Sequence, residues 1–152
     1  MSKTEHEAVL QLSHRFAAPR ERVFDAWTNP EVLREWWAAA PNMEPGDAQV
    51  DLREGGRYRL SMRTAAGEEY VVGGEYTEVR RPERLAYTWS WEGDPEQMAG
   101  SAETLVEVDF VEDGDGSEVN LTHRGFANAE IREQHAQGWR GCFANLERYL
   151  GT

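Results

Sequence analysis

Residues 85–91 read Leu-Ala-Tyr-Thr-Trp-Ser-Trp, with Leu85, Tyr87, Trp89 and Trp91 at period two and Ala86, Thr88 and Ser90 between them. Side chains two apart share one face of a β-strand, so this run carries one strongly aromatic face and one small polar face. Other runs repeat the pattern more weakly. Before it, Leu10, Leu12, His14 and Phe16 alternate with polar positions, as do Ala48, Val50 and Leu52, then Tyr58, Leu60 and Met62. The segment Glu69 to Val79 reads as extended, and Gly73-Gly74 in its middle predicts a bulge or sharp bend. After it come Thr104, Val106, Val108 and Phe110, a hairpin signal at Asp113-Gly114-Asp115-Gly116, and Val119, Leu121 and His123 on a last strand.

Helical spacing appears in three places. Val23, Phe24, Ala26 and Trp27 follow Pro19, and Thr28-Asn29-Pro30 then ends that helix and starts another, with Asn29 as N-cap. The second presents Val32, Leu33, Trp36 and Trp37. Two such short helices leave no room for a parallel crossover, which favours an antiparallel sheet. From Asn128, a cap, to Leu150, the positions Ile131, Trp139, Cys142, Phe143, Leu146, Tyr149 and Leu150 form one apolar stripe, with Glu130, Arg132, Glu133, Gln137, Arg140 and Glu147 facing water. A helix of that length spans about 34 Å, enough to cover a sheet face. The expected fold class is α+β: a curved seven-stranded antiparallel sheet, two short helices after the first strand, and a long C-terminal helix packed across the sheet. Segments 38–46 and 93–101, rich in Pro, Gly and small polar residues, read as the most mobile loops.

Composition narrows the function. At 152 residues the chain has the size of one domain, residues 1–152 with a core from 8 to 150. With 28 acidic against 16 basic residues and a formal charge of −12, it repels nucleic-acid phosphates, so no nucleic acid is expected as partner. No run of eighteen apolar residues occurs and the first residues hold no apolar stretch. Neither membrane insertion nor a signal peptide is expected, which places the protein in the cytoplasm. The single cysteine, Cys142, reads as a small buried hydrophobe. There is no nucleophile elbow, no phosphate-binding glycine loop and no third His or Cys at ligand spacing, so no metal, cofactor or catalytic residue is assigned.

A curved sheet wrapped round one helix readily leaves space between them. From the sheet, Tyr58, Leu60, Met62, Tyr76, Tyr87, Trp89, Val106 and Val108 would point into it, and from the helix Trp139 and Phe143, an apolar lining with few polar groups. The Trp36-Trp37 pair either lines the cavity entrance, or Trp36 staples the short helix to the sheet while Trp37 sits half exposed. His123 and His135 are polar residues on otherwise apolar faces, and each reads either as a satisfied structural histidine or as a ligand contact. An acid/base pair of His123 with Asp25 or Glu75 would convert the same cavity to chemistry.

The string Phe24-Asp25-Ala26-Trp27-Thr28-Asn29-Pro30 with Trp36-Trp37, the turn Gly55-Gly56-Arg57-Tyr58, the run Pro82-Glu83-Arg84-Leu85-Ala86-Tyr87-Thr88-Trp89, and Thr122-His123-Arg124-Gly125-Phe126 followed by His135 to Leu150 form one ordered set. Together they resemble the family of activators of heat-shock protein 90 ATPase homologues, within the START-like helix-grip superfamily, over roughly residues 8 to 150. The resemblance implies a helix-grip fold and a small apolar or aromatic ligand, lipid or polyketide-like, in the cavity, with Phe126 joining the lining. Two other functions follow from it. One is a chaperone-associated or stress-response interaction with a protein partner, and the other a cofactor-independent cyclase or hydrolase.

Overall fold

A computed structural model describes residues 8–38, 43–92, 103–126 and 129–150. In chain order the elements are β1 (Ala8–Phe16), α1 (Arg20–Thr28), α2 (Pro30–Trp36), β2 (Glu44–Val50), β3 (Arg57–Arg63), β4 (Glu69–Arg80), β5 (Arg84–Trp91), β6 (Thr104–Asp113), β7 (Gly116–Phe126) and α3 (Ala129–Leu150). The seven strands form one antiparallel sheet in the order β1-β7-β6-β5-β4-β3-β2. Strands β2 to β7 therefore meander in sequence, while β1 closes onto β7 at the far edge. The chain must travel from one edge to the other between β1 and β2, and α1 and α2 carry it there.

Period two decides which side is buried. Tyr58, Leu60 and Met62 on β3, Leu85, Tyr87 and Trp89 on β5, Val106, Val108 and Phe110 on β6, and Val119, Leu121 and His123 on β7 are all buried. α3 turns His135, Ala136, Trp139, Cys142, Phe143, Leu146 and Leu150 toward this face. The outer face is polar. There Arg84 reaches Glu78 at 2.9 Å, Glu107 at 2.9 Å and Asp109 at 3.1 Å, tying β4, β5 and β6 together.

Asn29 caps α2 as its sequence requires, its side chain accepting from the Glu31 amide at 2.9 Å. Other expectations need correction. The strand β2 begins inside the segment read as a loop, pairing Glu44 with Arg63 and Pro45 with Met62 before an irregularity ahead of Ala48. Proline lacks an amide donor and is tolerated here because β2 is an edge strand. β2 also stops at Val50, leaving Leu52 38 % exposed. Pairing of β3 with β4 runs unbroken through Gly73-Gly74, and the register shift against β5 lies between Tyr76 and Glu78. Gly74 serves close approach instead: a Cβ there would stand 2.1 Å from the Thr88 carbonyl oxygen. On α3, Tyr149 is 40 % exposed although it shares the apolar stripe, and Glu147 is only half exposed, accepting from His14 Nε2 at 3.0 Å. Residues 39–42, the segment 93–101 and the cap Asn128 lie outside the described residues.

Candidate functional site

Aromatic rings fill most of the space between α3 and the sheet. Trp139 stacks on Trp27 with centroids 6.1 Å apart and planes 13° from parallel, and Trp89 lies 5.1 Å from Trp139. Among the described residues, two small cavities lie between these rings. The larger, about 40 Å³, has Trp37, Met62, Trp89 and Trp91 on one side and Gln134, His135, Gly138, Trp139 and Cys142 of α3 on the other. The smaller, about 20 Å³, is walled by Trp27, Leu33, Trp37, Tyr58, Leu60, Tyr76 and Tyr87. The helical walls of the larger one recur at i and i+4 through Gln134, Gly138 and Cys142. Gly138 has no side chain to fill that space.

The two histidines hold opposite tautomers. His123 Nδ1 accepts the Trp139 indole N–H at 3.1 Å, so its proton sits on Nε2 and is donated to Thr104 Oγ1 at 2.8 Å, which in turn donates to the Trp89 carbonyl at 3.2 Å. His135 Nε2 accepts the Trp91 indole N–H at 3.0 Å, and its Nδ1–H donates to the Ile131 carbonyl at 2.9 Å. Both rings are satisfied only when neutral. Burial, with His135 nearby, pushes the His123 pKa well below the ordinary histidine range, and burial lowers that of His135 against the raising effect of its bond to Ile131.

Hydroxyls and the thiol follow the same logic. Tyr58 donates to the Thr88 carbonyl at 2.6 Å, and Tyr87 Oη accepts the Trp27 indole N–H at 3.2 Å. Burial raises the pKa of Tyr58, Tyr76 and Tyr87 and pushes the Cys142 thiol up to about 12, so all four stay protonated and Cys142 is no nucleophile. Two buried polar atoms at the larger cavity make no hydrogen bond among the described residues: the Trp89 indole N–H, a donor, and Gln134 Oε1, an acceptor.

Of the residues expected to line a cavity, Met62, Trp89, His135 and Trp139 meet at the larger one and Tyr58, Leu60, Tyr76 and Tyr87 at the smaller. The others take different places. Val106 and Val108 are fully buried in the sheet's inner face, and Phe143 packs against Phe16 and Trp27. His123 stands behind the wall formed by Trp89 and Trp139, and Phe126 packs against both histidines. The tryptophan pair divides between its two readings. Trp36 donates to the Ala26 carbonyl at 2.9 Å and staples α2 to α1 rather than to the sheet, whereas Trp37 is 4 % exposed rather than half exposed and walls both cavities.

Gln134 and Gly138 are wall residues that sequence reasoning did not single out, and Trp91, read as part of the aromatic face of 85–91, was not among the expected lining. The legible signal was Gly138, a glycine inside a helix, where it costs about 1 kcal/mol relative to alanine and so asks for a reason. The acid/base pair is not assembled. Asp25 is bound by Arg81 at 2.9 and 3.0 Å on the surface, Glu75 is exposed on the outer face, and both His123 nitrogens are occupied. Among the described residues no three His, Cys, Asp or Glu stand close enough to hold a metal ion, and no helix is long and apolar enough to cross a membrane. A larger hollow of about 310 Å³ lies on the outer face by Arg57, Arg59 and Glu92. Two of its three charges pair there, Arg59 with Glu92 at 2.8 Å.

Comparison with known proteins agrees with this architecture. The AHSA1 protein from Silicibacter pomeroyi is 25 % identical with a TM-score of 0.80, over 95 % of this chain and 98 % of that one. The AHSA1-like protein from Aeromonas hydrophila is 24 % identical with a TM-score of 0.77, over 95 % and 92 % of the two chains, and shows the shared fold. CalU16 from Micromonospora echinospora is 26 % identical with a TM-score of 0.68, over 93 % of this chain and 74 % of that one. No curated protein matches. The family model described as "Activator of Hsp90 ATPase homolog 1-like protein" matches residues 17–151, nearly the whole chain, and the protein therefore belongs to that family.

Proposed function

We propose that the chain binds a small apolar or aromatic molecule in the cavity between β5 and α3. One observation carries the reading: the Trp89 indole N–H and Gln134 Oε1, a donor and an acceptor, are both buried at the same cavity without a partner among the described residues. An unsatisfied buried polar group costs about 1–3 kcal/mol, and a ligand that meets both recovers that cost. The remaining walls are mostly indole, thioether and thiol, with the His135 imidazole and Gly138, and they favour an apolar body with few polar groups.

Size sets the manner of binding. A cavity of about 40 Å³ has room for water, whereas a benzene-sized guest needs roughly 150 Å³. Ligand entry therefore displaces a wall side chain. A native mass spectrum of freshly purified protein, followed by a thermal-shift screen of fatty acids, sterols, aromatics and polyketide-like compounds, tests the reading. The expected result is a one-to-one adduct and a rise in melting temperature that grows with ligand concentration. Absence of both across the panel, with the protein folded, would contradict it.

A further inference from the structure

The chain has six tryptophans, and four are held by their indole N–H groups. Trp27 donates to Tyr87, Trp36 to the Ala26 carbonyl, Trp91 to His135 and Trp139 to His123. Trp89 lies within β5, its indole N–H without a partner among the described residues. Trp37 lies outside the sheet. It is the residue where α2 ends, with φ −75° and ψ 95°, its amide donates to the Leu33 carbonyl, and its side chain makes no hydrogen bond among the described residues. Among the described residues its indole makes apolar contact, with Trp89 at 6.3 Å between centroids. It is also the one described residue that walls both cavities.

Strand direction aligns the two spaces. β3 and β5 are each antiparallel to β4 and so parallel to one another. Tyr58, Leu60 and Met62 on β3, and Tyr87, Trp89 and Trp91 on β5, thus progress in the same direction, from the tyrosine-walled cavity to the indole-walled one. From Tyr58 to Met62 is four strand residues, about 13 Å. Each end has its own polar groups. At one stand the Trp89 N–H and Gln134 Oε1. At the other stand the Tyr87 hydroxyl, whose oxygen already accepts from Trp27 and whose proton is left to give, and the hydroxyl of Tyr76, which walls the smaller cavity.

We propose that Trp37 is a movable partition within one elongated site, and that the site admits a neutral rod-shaped molecule of about 13 Å with a hydrogen-bonding group at each end. The proposal rests on the ligand-binding reading above and adds the ligand's length, polarity and charge. Neutrality follows from the walls: among the described residues no Lys, Arg, Asp or Glu lines either cavity, so a buried carboxylate or ammonium finds no counter-charge there. With its indole swung aside, the two small cavities become one space along the strands.

Calorimetric titration of the full chain with phenol, para,para-dihydroxybiphenyl and biphenyl carboxylate tests this in the wild type, Trp37→Ala and Tyr76→Phe, each first shown to be folded by thermal melting. Trp37→Ala should tighten the long diol by at least about tenfold more than it tightens phenol, while Tyr76→Phe should weaken the diol about fivefold in the unaltered Trp37 background. The carboxylate should bind at least about tenfold more weakly than the diol. If Trp37→Ala fails to fold, Trp37→Leu replaces it, and Tyr76→Phe tests the far end independently. Phenol binding with no preference for the long diol in the Trp37 variant, or with no effect of Tyr76→Phe, overturns the partitioned rod-shaped site and leaves the ligand-binding reading standing. Failure of every probe to bind any folded variant overturns both.

Discussion

Trp139 donates its indole N–H to His123 Nδ1 across 3.1 Å, and this bond sets the protonation of a histidine with no solvent exposure. The proton must then lie on Nε2, which donates to Thr104, which donates to the Trp89 carbonyl. One chain of hydrogen bonds therefore joins α3 to β7, β6 and β5 behind the cavity wall. Were the ring to gain a second proton, Nδ1 would face the indole donor with a donor of its own.

Stability should fall on mild acidification. In the unfolded chain both buried histidines titrate near the ordinary value of about 6.5, whereas burial lowers both in the folded protein. Below about pH 6.5 the unfolded state then binds more protons, so stability drops as pH falls, by up to about 1.4 kcal/mol per pH unit for each histidine, and levels off above about pH 7. Asp47, Glu78 and Glu92 have lowered pKa values and lose their contribution only in a more acid window. Urea titrations between about pH 7.5 and 5.5 should show a loss of roughly 2 kcal/mol in the wild type and a much flatter profile in the double variant His123→Gln, His135→Gln. Equal slopes would sink the prediction.

The packing of α3 makes a second prediction. Leu146 has no solvent exposure, so Leu146→Ala should cost about 2–5 kcal/mol, whereas exposed Arg140→Ala should stay within about 0.5 kcal/mol. Glu147, beside His14, is unsuitable as the surface control. Matching losses in the two variants would mean the helix presents a different side.

Gly138→Ala should separate stability from binding. Removing a glycine from the helix interior stabilises it by up to about 1 kcal/mol, and the added methyl enters the wall of the larger cavity. A higher melting temperature together with weaker ligand binding is expected. Unchanged affinity for every ligand found in the screen would place the binding site elsewhere.

The sheet and helix faces were legible because strict period-two and helical spacings, as at 85–91 and 139–146, leave one choice of buried side. The division of roles between Trp36 and Trp37 was not. Both sit on the apolar arc of a one-turn pattern, and only the helix end, after Trp36, turns Trp37 into the interior. His123 and His135 stood out as polar residues on apolar faces, but their partners Trp139 and Trp91 lie 16 and 44 positions away, a pairing that only the tertiary fold creates. Gln134 escaped because a glutamine on the flank of an amphipathic helix reads as solvated. The edge position of β2 likewise decides that Pro45 sits in a strand, and edge position is a property of the assembled sheet.

Nitrogen-15 correlation spectra of the six tryptophan indoles, with the Trp89 signal assigned from Trp89→Phe, test the binding site most directly. On titration with a neutral aromatic diol, the Trp89 indole resonance should move as its buried N–H gains an acceptor, and the shift should saturate at one equivalent. A Trp89 resonance that stays fixed while the diol binds, or a diol that perturbs only surface residues, would contradict a ligand site between β5 and α3.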